Sequence, residues 1–241
     1  RWSERQVMAY EALMRPRSTE LPHPGAVLKA AEDLGRLHDV AAAVHRQVAL
    51  DAGSAPADVR FYVNLHPRDL FDDELLGDGG LLTALADRTS LEVTERAALD
   101  ERTDELDARV RRLRAMGFEI VVDDLGAGYA GLTSLVQLAP DVVKLDMSLV
   151  RNVHLDRVRQ RLIGSMLSLC VELGVAVIAE GVETVLERDC LIGLGCDLFQ
   201  GYYFGRPQPG FTAADPSSMV GPTREEAAAA AISPSVAQDA G

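Results

Sequence analysis

Short apolar runs and amphipathic helical stretches alternate along this chain from Val7 to Gln200, and that alternation leaves few folds open. Runs such as FEIVVDD (118–124) and VAVIAE (175–180) are apolar on both faces, as in strands covered by helices on either side. The pattern predicts strands over Val7–Leu13, Arg60–Leu65, Ser90–Glu95, Phe118–Asp124, Val142–Asp146, Val175–Glu180 and Asp197–Gln200. Between them it predicts helices over Pro24–Leu50, Leu81–Asp87, Asp100–Met116, Gly131–Leu138, Asp156–Leu173 and Thr184–Leu194. Pro24 suits a helix start and Gly117 a helix stop. Seven strands fall one short of a (β/α)₈ barrel. The expected fold is therefore α/β, a TIM-like barrel whose first strand is missing or truncated in this chain. From Thr212 the pattern dissolves, apart from a short helix at REEAAAAAI, so one domain is expected over 1–211 and a flexible tail over 212–241.

A chain of 241 residues, 47% of them hydrophobic, is long enough for one sizeable core. It holds no run of about 18 apolar residues, so no membrane span is expected. It carries no secretory pattern either, which points to the cytoplasm. A net charge of −13 argues against binding polymeric nucleic acid, which requires a basic stripe. Cys170, Cys190 and Cys196 lack metal-type spacing and read as reduced thiols. The chain starts at Arg1, not Met, shortly before the first predicted strand, as a segment of a longer protein would.

The chemistry collects at the strand ends. Glu11, Asn64, Glu92 with Glu95, Asp123 with Asp124, Lys144 with Asp146, Glu180 with Glu183, and Gln200 all fall at or just past the last residues of a predicted strand. In a barrel these ends share one face, where catalytic groups sit. A single acid after a strand is usually a helix cap. That explanation does not cover Lys144 among so many acids, nor Asn64 and Gln200 at matching positions. So many converging carboxylates need positive charge between them. Oxygen ligands without clustered His or Cys select Mg²⁺ or Mn²⁺ over zinc. At a strand end the backbone turns, which lets Asp123 and Asp124 face one cleft, and Gly126 and Gly128 allow the next loop to bend sharply.

These residues also fall into motifs. Glu11-Ala12-Leu13-Met14-Arg15 resembles the EALxR signature of the EAL domain family. Asn64-Leu65, Glu92-Val93-Thr94-Glu95, Asp123-Asp124-Leu125-Gly126-Ala127-Gly128-Tyr129, Lys144-Leu145-Asp146, Ala179-Glu180-Gly181-Val182-Glu183-Thr184, and Gln200-Gly201-Tyr202 with Pro207 and Pro209 follow in the family's order. The resemblance implies a barrel with its first strand antiparallel, often dimeric. It also implies a bacterial, cytoplasmic enzyme that hydrolyses cyclic di-GMP to linear 5′-pGpG by in-line attack of a metal-activated water, under an upstream sensor or regulatory domain.

Carried over residue by residue, it implies that Glu11, Asn64, Glu92, Asp123, Asp124 and Glu180 surround Mg²⁺ or Mn²⁺, two per site. Lys144 is implied to contact a metal-bound water or phosphate oxygen. Glu183 and Gln200 are implied to position water or its ligands, and Glu180 to assist deprotonation. Arg15 is implied to hold a substrate phosphate, with Leu13, Asp146 and Pro207 as further substrate contacts. Glu95 is implied to steady the loop 123–129, which also serves the dimer contact. Three departures stand out: no Gln-Pro strand precedes Val7, His66-Pro67 follows Asn64-Leu65, and Leu125 and Ala127 replace Phe and Thr of the glycine motif. A non-catalytic cyclic di-GMP receptor and a structural dimerisation domain are the competing readings.

Overall fold

The computed structural model describes residues 1–94, 103–126, 131–211 and 219–232. Seven strands form one sheet in sequential order: β1 (Ala9–Ala12), β2 (Arg60–Leu65), β3 (Thr89–Thr94), β4 (Glu119–Leu125), β5 (Val142–Leu145), β6 (Ala176–Ala179) and β7 (Leu198–Phe199). Every pairing is parallel, so an antiparallel strand is not among the described residues. The sheet curls until its edge strands face each other. Gln200 Nε2, just past β7, donates to Glu11 Oε2 on β1 at 2.5 Å, and Trp2 N donates to Asp197 O at 2.7 Å. The result is a barrel open along one side, the α/β architecture expected with one strand short.

The helices are α1 (Pro24–Asp33), α2 (Leu37–Asp51), α3 (Asp73–Leu76), α4 (Thr103–Ala115), α5 (Gly131–Leu138), α6 (Met147–Val150), α7 (Arg157–Leu173), α8 (Val185–Leu194) and α9 (Arg224–Ile232). The single helix expected over Pro24–Leu50 is two, because Gly35 takes a φ of 66° that terminates α1. The helix expected over Leu81–Asp87 is a 3₁₀ stretch, Thr83–Arg88. The strand end at Glu95 and the helix start at Asp100 lie outside the described residues.

Two apolar layers hold this arrangement. Phe61, Val63, Leu91, Val93, Ile120, Val122 and Val143 face the helices in the main core. Tyr62, Val121, Val142 and Ile178 fill the barrel interior. Beneath them, at the strands' N-terminal ends, Arg60 pairs with Glu119 at 2.9 Å, and Ser90 Oγ donates to Glu119 Oε2 at 2.8 Å. The strands' C-terminal mouth is thereby left for polar groups.

The segment expected as a tail is partly structured. Ala227 on α9 is buried with Trp2 and Ile192. Trp2 Nε1 donates to Pro222 O at 2.9 Å, and Arg188 Nη1 to Val220 O at 2.8 Å. The α9 backbone sits so close to α8 that a Cβ at Gly193 would stand 3.2 Å from Ala227 O.

His45 sits on α2 but is only 1% exposed, and both ring nitrogens lack a hydrogen-bond partner among the described residues. Burial pushes its pKa down to about 4. A folded pKa below the ordinary 6.5 confers stability that is present above pH 6.5 and lost as pH falls toward 4. His45→Leu should therefore gain about 1 kcal/mol at neutral pH, since it removes an unpaired buried polar group. The gain should widen at about pH 5. Urea denaturation at both pH values checks this; a variant less stable than the parent at both contradicts it.

Candidate active site

Strand ends β1 to β7 carry the polar groups into the barrel mouth, and one irregularity sets their geometry. Val122 pairs with Val143 and Leu125 with Leu145, so Asp123 and Asp124 together stand opposite the single residue Lys144. Such a β-bulge inserts an extra residue and bends the strand. Asp124 takes a left-handed φ of 58°, a conformation that Asp tolerates better than most residues. Its N–H donates to Asp123 Oδ1 at 2.9 Å. Consecutive acids that a regular strand would send to opposite faces thus share one. Oxygens of Asp123, Asp124 and Glu180 lie within 4.8 Å of one another.

Lys144 is the centre of the site. It is 1% exposed, and its Nζ stands 2.6 Å from Glu92 Oε1, 2.5 Å from Glu180 Oε1, and 3.7 Å from both Glu11 Oε2 and Asp123 Oδ1. Burial opposes its charge, but Glu92, Glu11, Glu180 and Asp123 together hold its pKa well above the ordinary value. One ammonium does not neutralise all these acids. Burial pushes Glu92 up to about 8 and Glu180 up to about 7, with Lys144 opposing and the neighbouring acids adding. Glu92 is fully buried, and its Oε2 has no hydrogen-bond partner among the described residues. A buried, unpaired carboxylate oxygen in an all-oxygen donor set fits a hard divalent cation.

Two amides orient Glu11. Asn64 Nδ2 donates to its Oε1 at 3.1 Å, and Gln200 Nε2 to its Oε2 at 2.5 Å. Around this centre a cavity of about 2110 Å³ runs along the open side and is lined by Glu11, Leu13, Arg15, Asp146, Glu180 and Pro207 among others. The Arg15 guanidinium is exposed and donates to the Met14 carbonyl at 3.0 Å. Asp146 caps α6, its Oδ1 accepting from Ser148 N at 2.9 Å. Glu183 stands at the rim, its carboxylate paired with Arg151 at 2.7 Å. Glu95, Ala127, Gly128 and Tyr129 lie outside the described residues.

The structure thus gathers Glu11, Asn64, Glu92, Asp123, Asp124, Lys144, Glu180 and Gln200 at one mouth, with Leu13, Arg15, Asp146 and Pro207 on the walls. Sequence reasoning overlooked Tyr62, whose ring lies 5.9 Å below Lys144 Nζ, and Glu187, described below. Tyr62 is two residues before Asn64 on β2, so strand alternation alone places it on the same inner face.

Against known protein families, residues 2–207 match the EAL domain. The chain belongs to the EAL domain family. This EAL domain is 33% identical over 232 residues to an uncharacterized signaling protein of Caulobacter vibrioides, a match covering 91% of this chain and 28% of that protein. It is 35% identical over 150 residues to the cyclic di-GMP phosphodiesterase RocR of Pseudomonas aeruginosa, covering 61% of this chain and 38% of RocR. The chain therefore spans well under half the length of these relatives. Among solved structures it resembles the manganese/cy-diGMP complex of Klebsiella pneumoniae BlrP1, with a TM-score of 0.74 and 29% identity over 88% of this chain and 55% of that one. No helix among the described residues is long and apolar enough to cross a membrane.

Proposed function

We propose that this EAL domain hydrolyses cyclic di-GMP to linear 5′-pGpG with the help of divalent cations, Mg²⁺ or Mn²⁺, two per site. The observation that carries the reading is the bulge at Asp123–Asp124, which aims two acids with Glu180 at one point beside a buried lysine. Relatives named as cyclic di-GMP phosphodiesterases and a neighbour holding manganese and the dinucleotide support it.

Asp123, Asp124, Glu180, Glu92, Glu11 and Asn64 are the residues that would hold the cations. Divalent cations held there would supply positive charge to the substrate phosphodiester and would lower the pKa of the attacking water. Around them, the chain's own groups divide the work. Lys144, itself buried, holds a fixed positive charge beside the place where the phosphorane charge develops. Asn64 and Gln200 fix both oxygens of Glu11, so that its carboxylate cannot rotate away. Arg15 presents a guanidinium to a phosphate oxygen through paired N–H bonds. Glu180, ionised once its proton is displaced, would be placed to accept the proton released by the attacking water. Leu13, Asp146 and Pro207 contact the remainder of the dinucleotide from the cavity walls.

Glu11→Ala removes the carboxylate that Asn64, Gln200 and Lys144 share. It is expected to abolish turnover of cyclic di-GMP in Mn²⁺ while the far-ultraviolet circular dichroism is retained. A fully active Glu11→Ala variant would end the proposal. Tight binding of the dinucleotide without turnover by the parent chain would favour the receptor reading instead.

A further inference from the structure

The loops after β5 and β6 carry Asp146 and Glu180, and a second set of charged groups ties those loops together at the rim of the site and behind it. Glu187, in the first turn of α8, is 1% exposed. Its Oε1 accepts the backbone N–H of Asn152 at 2.9 Å, from the loop after α6. Its Oε2 accepts those of Glu183 and Thr184, each at 3.0 Å, from the loop after β6. Burial alone would raise its pKa; these backbone bonds bring it below the ordinary value.

Above Glu187 the same loops are joined a second time. Arg151 Nη2 donates to Glu183 Oε1 at 2.7 Å, and Arg151 Nη1 pairs with Glu183 Oε2, the forked geometry natural to a guanidinium and a carboxylate. Arg159 Nη1 anchors the Arg151 carbonyl at 2.7 Å. The loops also touch directly: Gly181, with φ of 65°, lies so close that a Cβ there would stand 2.5 Å from Met147 Cβ. Only Gly181 and Val182 separate Glu180 from Glu183, and Val182 is fully buried, so the two glutamates cannot shift independently.

We infer that Arg151, Glu183 and Glu187 form a latch between the two loops that fixes the Glu180 carboxylate against Asp123 and Asp124. Glu183 is then a positioning residue held by arginine, and not a group that orders water or touches substrate. The effect on the site rests on the reading of Glu180 as a metal ligand.

Charge reversal separates the two roles. In the metal-free protein, Arg151→Glu and Glu183→Arg should each speed amide exchange at Asn152 and Thr184, and the double reversal should slow it again. Mn²⁺ affinity, read by electron paramagnetic resonance of the free ion, should fall about tenfold in each single variant, as it does when a ligand's outer partner is lost. The double reversal should recover most of that loss. Glu183→Gln, which keeps one acceptor for Arg151, should lose less affinity than Glu183→Arg. A double reversal as weak in Mn²⁺ as Glu183→Arg alone overturns the latch, as does a Glu183→Gln loss equal to that of Glu183→Arg. If the parent chain binds no Mn²⁺, the metal reading falls, and amide exchange alone decides whether the latch exists.

Discussion

Lys144→Met is expected to cost about 3 to 5 kcal/mol of stability in EDTA, the scale for removing one partner of a buried ion pair. The lysine is 1% exposed and touches Glu92 and Glu180 at 2.6 and 2.5 Å, with Glu11 and Asp123 each 3.7 Å away. Methionine matches its volume, so the loss reports charge and not a cavity. The stranded carboxylates would have to take up protons or move apart. Mn²⁺ should restore part of the stability, because it supplies positive charge to the same oxygens. Turnover should not return with it; the loss of one preorganised charge at a developing oxyanion costs about 100- to 1,000-fold. Urea denaturation with EDTA and with Mn²⁺ reads the first effect, and product formation reads the second. A loss of stability below about 1 kcal/mol in EDTA would show that Lys144 is not the counter-ion of this cluster.

The second large effect is a reversal of pH dependence by metal. Glu92 and Glu180 have folded pKa values raised to about 8 and about 7, above their ordinary 4.5. Raised values mean that the folded state keeps protons the unfolded chain has released. Their contribution is complete below pH 4.5 and is lost as pH rises through 7 to 8. The metal-free protein should therefore lose on the order of a few kcal/mol between about pH 5.5 and about pH 8.5. A cation displaces those protons, so its affinity should rise over the same interval and the stability curve should flatten or invert. Thermal denaturation in EDTA and in Mn²⁺ across this interval gives the comparison. A metal-free curve that climbs with pH would contradict the assigned burial of Glu92.

Much of this architecture was legible from residue pattern. Strand β2 falls on the predicted Arg60–Leu65, where the consecutive apolar residues Phe61, Tyr62 and Val63 suit a strand covered on both faces. The site was legible for a related reason. Parallel strands bring their C-terminal ends to one face, so polar residues scattered from Glu11 to Gln200 could be collected before any contact was known.

What escaped is set by contacts remote in sequence or by local backbone geometry. Nothing in DDL announces that Asp123 and Asp124 oppose Lys144 alone, since the bulge depends on the register of β5. Glu187 reads as a capping residue, and it does bond the Thr184 N–H; its bond to Asn152 spans 35 positions. Glu183 was expected to position water or its ligands, and its carboxylate meets Arg151, 32 positions earlier in the chain. His45 falls on a helix of mixed face, and tertiary packing of α2 against its neighbours, α3 and β2 among them, puts it inside. By contrast, Gly35 was a stop signal available within DLGR, passed over in favour of an unbroken helical period.

Product analysis tests the central claim most directly: the chain incubated with cyclic di-GMP and Mn²⁺ or Mg²⁺, followed by chromatography, with a parallel sample in EDTA. The proposed function predicts metal-dependent accumulation of linear pGpG and intact substrate in EDTA. Unchanged cyclic dinucleotide in both samples, with the cations shown to be bound, would contradict it.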